Sequence, residues 1–139
     1  MKVLAILNVT LLLFSCQHNS MNPETLDKSF QTGIQLQIDL QQGFAGKFVR
    51  VELNGEEQFR GTISDLVPFA GPEASFTSTT FQKRNLITVY WRCPSSSACG
   101  NLQHTQEIRL GNSEKYYIGM VVSGNSIILQ VLDTPFFYL

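Results

Sequence analysis

Hydrophobic and polar residues alternate with a period of two along most of the chain after residue 33. In residues 34–41, aliphatic side chains occupy one parity and polar side chains the other, which predicts a strand with one buried face. The alternation returns at roughly ten-residue spacing, and no comparable segment has the 3.6-residue repeat of an amphipathic helix. The pattern predicts about eight strands, over residues 34–41, 49–53, 57–64, 75–81, 86–92, 103–110, 116–122 and 127–131.

Two short glycine motifs predict tight hairpins between these strands. Asn54-Gly55 supplies two residues that tolerate positive φ, as a type I′ turn requires. Gly124-Asn125 fits the hairpin turn that has glycine at its first position. Gly61, inside the strand that follows the first hairpin, indicates a bulge or a close backbone approach.

Residues 66–73 interrupt the strand pattern, because Pro68 and Pro72 lack the N–H that a sheet ladder needs. This segment predicts a crossover between two sheets, and the Ser- and Thr-rich strand that follows it suits a sheet edge. The whole pattern predicts an all-β fold, an antiparallel β-sandwich of seven to eight strands, with a small β-barrel as the alternative. A nucleotide-binding α/β fold is excluded because no βαβ alternation is present.

The N-terminal residues follow a different pattern. Lys2 precedes an apolar run over residues 3–14, and the polar sequence begins after Ser15-Cys16. This layout is typical of a signal peptide. As a helix the run would span about 18 Å, whereas the hydrocarbon core of a bilayer is about 30 Å thick, so the run is too short to remain as a membrane span.

The sequence Leu13-Phe14-Ser15-Cys16 resembles the lipobox of bacterial lipoproteins, with leucine three residues before the cysteine and a small residue directly before it. The resemblance covers only the first sixteen residues. It implies that the signal peptide is cut before Cys16 and that the cysteine carries diacylglycerol. Two or three acyl chains bury enough methylene groups for stable membrane anchoring.

The lipobox resemblance also implies a domain organisation and a location. The expected signal peptide covers residues 1–15, the lipidated cysteine and a polar tether cover 16–32, and the β-sandwich covers 33–139. Gln17 lacks the acidic character of an inner-membrane retention signal. We therefore expect an exported protein, anchored by its lipid to the cell envelope, at the outer membrane.

The remaining two cysteines and the charge balance narrow the function classes. Cys93 and Cys99 form an even pair in an exported chain and predict a disulfide, which would stabilise the fold by about 2.4 kcal/mol, with unpaired thiols as the alternative. A structural zinc needs four ligands, and only His104 offers a third, so we expect no metal site. The formal net charge is −1, which argues against a nucleic-acid partner.

Catalytic constellations are scarce in the sequence. His104 is the single histidine of the expected domain, and a general base also needs a positioned partner. Glu52, Glu56 and Glu57 surround the first hairpin, but a glycosidase needs two carboxyls facing each other across a cleft. A solvated acidic turn is the preferred interpretation, so we expect no enzyme activity and no cofactor.

Two aromatic pairs are the candidate binding residues: Tyr90 with Trp91, and Tyr116 with Tyr117. Neighbours in a strand point to opposite faces, so one ring of each pair must face outward, where it can stack on a sugar or anchor a protein partner. Trp91 shares its parity with the aliphatic residues of its strand, which predicts a core position.

These observations lead to one function hypothesis and two alternatives. The first choice is a lipid-anchored, non-catalytic envelope module that binds a glycan or an envelope protein. A partner strand could add to the Ser- and Thr-rich edge over residues 75–80. The alternatives are an envelope glycan hydrolase that uses carboxylates, and a structural subunit of an envelope assembly that exposes Phe136-Phe137-Tyr138. We expect that aromatic tail to form a final strand packed on the core.

Overall fold

The computed structural model of the chain describes residues 32–66, 70–93 and 100–138. The expected signal peptide, Cys16 with its expected lipid, most of the expected tether and Cys99 lie outside these residues. No helix among the described residues has the length and apolar character that a membrane crossing requires.

Eight strands build the described part of the chain. The strands are β1 (Ile34–Gln42), β2 (Phe48–Leu53), β3 (Glu56–Thr62), β4 (Ala74–Thr80), β5 (Arg84–Arg92), β6 (Leu102–Arg109), β7 (Lys115–Ser123) and β8 (Ser126–Leu132). Sheet I has the order β4-β1-β7-β8, and sheet II has the order β3-β2-β5-β6. The predicted β-sandwich is confirmed, since the two sheets formed by the described residues stay separate and do not close into a barrel.

One strand pair departs from the antiparallel pattern. β1 and β7 run parallel in the centre of sheet I, whereas the other neighbouring strands run antiparallel. Parallel neighbours require a long connection, and here that connection contains all of sheet II together with β4. The local alternation of residues carries no information about this distant pairing.

The core lies between the sheets and follows the predicted parities. Leu36, Ile38 and Leu40 of β1 are fully buried, and Trp91 of β5 is 2% exposed. Phe44, in the loop between β1 and β2, is fully buried as well, although the sequence pattern does not mark it as core. Each fully buried side chain of this size contributes about 1.5–3 kcal/mol through removal of apolar surface from water.

Both predicted hairpins are present. Asn54 and Gly55 have φ of 54° and 83°, and Gly124 has φ of 60°. The bulge predicted at Gly61 is misplaced, because Gly61 pairs regularly with Val49 and the register shifts two to three residues earlier, around Gln58. At this shift the Gln58 Oε1 accepts a hydrogen bond from Ser78 Oγ of β4, in sheet I, at 2.7 Å.

The predicted crossover and the predicted edge strand are also confirmed. β3 belongs to sheet II and β4 to sheet I, so the chain changes sheets between them, and β4 is the first strand of its sheet. Pro68 itself lies outside the described residues. Phe59 of β3 and Phe76 of β4 stack with ring centroids 5.0 Å apart and thereby close this side of the sandwich.

The C-terminal tail does not form the predicted final strand. β8 ends at Leu132, and residues 133–138 fold back over the outer face of sheet I without joining a ladder. The Tyr138 hydroxyl donates a hydrogen bond to Asp39 Oδ2 at 2.6 Å. The Phe136 ring lies over Gly119 and occupies the space that a larger side chain would fill. Pro135 disfavours a strand here because it has no N–H to donate to a sheet. Asp39 instead offers the tail a hydrogen-bond acceptor, which the sequence pattern does not reveal.

Candidate binding surface

The outer face of sheet II brings cationic and aromatic side chains together. Val49 and Val51 of β2 point into the core, so Phe48 and Arg50 point outward. The antiparallel register of β2 and β5 sets Arg50 opposite Tyr90 and Phe48 opposite Arg92. Each arginine therefore meets an aromatic ring on the neighbouring strand.

Both arginines stack on these rings. The Arg50 guanidinium carbon lies 3.9 Å from the centroid of the Tyr90 ring, and the Arg92 guanidinium carbon lies 4.8 Å from that of Phe48. A guanidinium held over a ring gains cation–π attraction and keeps its N–H edge available for a planar anion. Stacking thus orients the two cations without using up their donors.

Two carboxylates hold the neighbouring cations in place. Arg50 faces Arg60 directly across β2 and β3, an arrangement in which like charges repel. Glu57 offsets this repulsion because both of its carboxylate oxygens accept hydrogen bonds from Arg60. The Arg60 guanidinium keeps the pKa of Glu57 below its usual value. Glu52 lies 3.2 Å from Arg50 Nε and accepts a long hydrogen bond of 3.4 Å from the Tyr90 hydroxyl.

The contact between Arg50 and Glu52 is an ion pair without hydrogen-bond geometry. Arg50 Nε is buried and has no hydrogen-bond partner among the described residues, although Glu52 Oε1 is close enough to balance its charge. Buried donors in folded proteins are normally satisfied, so this nitrogen is a departure from the usual pattern.

A shallow pocket of about 250 Å³ opens beside these side chains. Its lining residues come from β2, β3, β5, the first residue of β6 and the residue before it: Phe48, Arg50, Arg60, Tyr90, Trp91, Arg92, Asn101 and Leu102. We call this the arginine pocket, because its lining contains three arginines and no carboxylate. No carboxylate among the described residues forms an ion pair with Arg92.

The structure separates the two aromatic pairs that the sequence singles out. Tyr90 and Trp91 line the arginine pocket, but Trp91 is buried in the core, as its parity predicts. Tyr116 is only 7% exposed, and its hydroxyl accepts a hydrogen bond from the backbone N–H of Ser113. Tyr117 lies on sheet I beside Lys115, so the four rings do not form one site.

His104, the candidate general base, contacts no carboxylate among the described residues. His104 Nδ1 lies 3.3 Å from Ser126 Oγ, and its Nε2 lies 3.4 Å from an amide oxygen rather than a carboxylate. No group of three or more potential metal ligands occurs among the described residues. Cys93 is disulfide-bonded, whereas Cys99 lies outside the described residues, so the predicted pairing of the two stays a prediction.

The sequence pattern did not identify Phe48 or the three cationic members of the site, Arg50, Arg60 and Arg92. Their outward parity was available from the alternation in each strand. What the sequence lacks is the information that β2 lies between β3 and β5 in this register.

Comparison with protein families, curated proteins and solved structures finds no match to this chain. The function must therefore be argued from the site, since a β-sandwich by itself supports many functions. The described site offers oriented cations, amide groups and apolar ring edges in a shallow depression, an arrangement suited to holding a ligand.

Proposed function

We propose that this chain is a non-catalytic binding module, held in the cell envelope by a lipid on Cys16, that binds its ligand at the arginine pocket. The lipobox resemblance supports the anchor. The observation that carries the binding function is the pocket lining, which contains three arginines, while the carboxylates that pair with Arg50 and Arg60 lie just outside it. Such a surface offers charge-assisted hydrogen bonds, which are stronger than neutral ones.

The carboxylates of the first hairpin support binding over glycan hydrolysis. A glycosidase needs one carboxyl group with a raised pKa, so that it can donate a proton near neutral pH. Arg60 lowers the pKa of Glu57, Glu52 lies against Arg50, and Glu56 is exposed at the hairpin. Glu52 and Glu57 position arginines, and none of the three glutamates faces another across a cleft.

A second candidate function is strand addition by a protein partner at β4. This edge strand, like β8 at the opposite edge of sheet I, has seven residues and carries no charge, whereas the edge strands β3 and β6 both contain charged side chains. Charges normally discourage pairing at an exposed edge. Under this alternative, Thr77→Pro abolishes capture of an envelope protein while Thr77→Val retains it, and unchanged capture by the proline variant refutes it.

The anchor is tested with the full-length protein in the producing cell. Wild type should incorporate labelled palmitate or glycerol and fractionate with membranes, because the thiol of Cys16 carries the lipid. Cys16→Ala should lose the label and leave the membrane fraction. An unlabelled wild-type protein with an intact Met1 terminus would contradict the anchor.

The binding site is tested with full-length protein immobilised in detergent and exposed to an envelope extract, with bound carbohydrate and bound protein measured separately. The double variant Arg60→Gln/Arg92→Gln should lose the bound material. The matched control Arg84→Gln/Arg109→Gln removes the same charge from the far end of the same sheet and should bind like wild type. Equal binding by all three proteins, or none by wild type, would overturn the proposed site.

A further inference from the structure

We infer that the ligand of the arginine pocket is an acidic polysaccharide, whose sugar carboxylates are held by Arg50, Arg60 and Arg92. This inference rests on the proposed function and names the chemical class of its ligand. It is carried by the charge of the pocket, by the way its cations are held, and by their spacing.

The cationic character is a local property of the pocket and not of the chain. The full sequence has ten basic and eleven acidic residues, with a formal net charge of −1. Three of the ten basic residues nevertheless line one pocket, without a carboxylate beside them in the lining. Glu52 and Glu57 balance Arg50 and Arg60 from just outside the lining, so the excess positive charge of the site is that of Arg92, and this excess favours an anion.

The cations are held before a ligand arrives. Glu52 and Glu57 are opposite each other in the register of β2 and β3, on the side of the first hairpin. Each forms an ion pair with one arginine, Glu52 with Arg50 and Glu57 with Arg60. Arg92 lies on the opposite side, stacked on Phe48 and free of any described carboxylate. Planar guanidinium forks match carboxylates in a bidentate geometry, and prior orientation lowers the entropic cost of binding.

The spacing of the cations suits a polymer with repeated anionic groups. Arg60 and Arg50 are directly opposite on neighbouring strands, which lie about 4.8 Å apart, and Arg92 is diagonal to Arg50 on β5. Phe48 adds apolar surface for the C–H face of a sugar, and Asn101 adds an amide for hydroxyl groups. One small anion could engage only part of this set.

Other polyanions fit the pocket less well. Nucleic-acid binding normally depends on an extended basic surface, which a chain of net charge −1 lacks. Electrostatic docking on a lipid surface uses clusters of four to eight basic residues beside the membrane, whereas the arginine pocket is a depression with three arginines. The combination of a few oriented cations with ring edges and an amide favours the acidic sugar chain.

The test measures the affinity of the full-length protein, purified in detergent, for polygalacturonate and for neutral dextran of similar length. Wild type should bind polygalacturonate with an affinity that falls as the salt concentration is raised, and it should not bind dextran. Arg92→Gln should weaken polygalacturonate binding by about tenfold, since one charge-assisted contact is lost. Arg84→Gln, a matched change on the same strand, should bind like wild type, and Arg92→Lys should recover only part of the loss because lysine lacks the fork.

Several results would overturn the inference. These are equal binding of dextran, equal losses in Arg84→Gln and Arg92→Gln, and tighter Arg92-dependent binding of single-stranded DNA or of vesicles containing anionic phospholipid. If envelope carbohydrate still requires the pocket while polygalacturonate does not bind, the ligand class is wrong but the proposed function survives. If no envelope material requires the pocket, the proposed function itself fails.

Discussion

The outer faces of the two sheets differ in how far the chain itself covers them. Part of the outer face of sheet I is covered by the chain's own C-terminal tail, which binds Asp39 through Tyr138 and lies over Gly119 through Phe136. The outer face of sheet II has no such cover among the described residues and carries the arginine pocket. The comparison teaches that one face contributes to the stability of the fold, whereas the other leaves oriented polar groups open, where we propose that a ligand binds.

The covered face is organised around a buried carboxylate. Asp39 is 6% exposed and accepts hydrogen bonds from Tyr138 and Ser75, both at 2.6 Å, and a longer one from Gln37. A buried carboxylate is tolerated only when its acceptors are satisfied. The tail therefore completes a network that would be left open without it.

The largest expected effect separates the inner side of sheet II from its outer side. Trp91→Ala should lower the free energy of unfolding by about 3–5 kcal/mol, because it opens a cavity in the core. Tyr90→Leu, one residue away on the outer face, should cost far less. Urea unfolding measures both variants, and equal losses would mean that the assigned parity of β5 is wrong.

The next effect compares a glycine under the tail with a glycine in sheet II. A Cβ at Gly119 would lie 2.7 Å from Phe136 Cζ and 2.5 Å from the Gln41 amide nitrogen, so Gly119→Ala should displace the tail at a cost of about 1–3 kcal/mol.

Gly61→Ala is the control, since its Cβ would meet Phe59 at 3.5 Å, an ordinary contact. Thermal unfolding and exposure of the tail to protease measure the difference. Equal behaviour of the two alanine variants would contradict the packing of the tail on sheet I.

A smaller effect concerns the hydrogen bond that attaches the tail. Burial, and then the hydrogen bond to Asp39, raise the pKa of Tyr138 from 10.0 to about 12. The folded state therefore favours the neutral phenol, so the contribution of this group to stability is complete below pH 10 and declines as the pH rises toward 12.

Tyr138→Phe should reduce the free energy of unfolding by about 1 kcal/mol near neutral pH, the usual contribution of one hydrogen bond. The difference in free energy of unfolding between wild type and this variant should then become smaller above pH 10. Unfolding experiments from pH 8 to pH 11 check this, and a difference that stays constant would contradict the attachment of the tail to Asp39.

The smallest expected effect on stability lies on the open face. Arg92→Gln should change the free energy of unfolding by less than about 0.5 kcal/mol, because the side chain is exposed and pairs with no described carboxylate. The same variant is the one expected to weaken ligand binding. A large loss of stability, measured by urea unfolding, would mean that Arg92 stabilises the fold and is not available mainly for ligand binding.

Local patterns predicted most of the fold. Alternation located the eight strands to within about two residues, and the turn residues Asn54, Gly55 and Gly124 predicted two hairpins. The parallel pairing of β1 with β7, the buried Phe44 and the folded-back tail were not predictable in this way, because each depends on contacts between residues distant in sequence.

The site was predictable only in part, for the same physical reason. Tyr90 could be identified as an outward aromatic residue from the alternation of β5 alone. Arg50 and Arg60 become members of a site only through the register of β3, β2 and β5, which the sequence does not specify. The export signal and the lipid on Cys16 concern residues outside the described part of the chain, so they stay predictions.

The most direct test of the open-face account is a titration of isotope-labelled full-length protein in detergent micelles with polygalacturonate, followed by amide and arginine side-chain NMR shifts. The account predicts saturable shifts at Phe48, Arg50, Tyr90 and Arg92, with little change at Asp39 or Gly119 on sheet I. Shifts centred on sheet I, or none at the arginines while binding occurs, would contradict it.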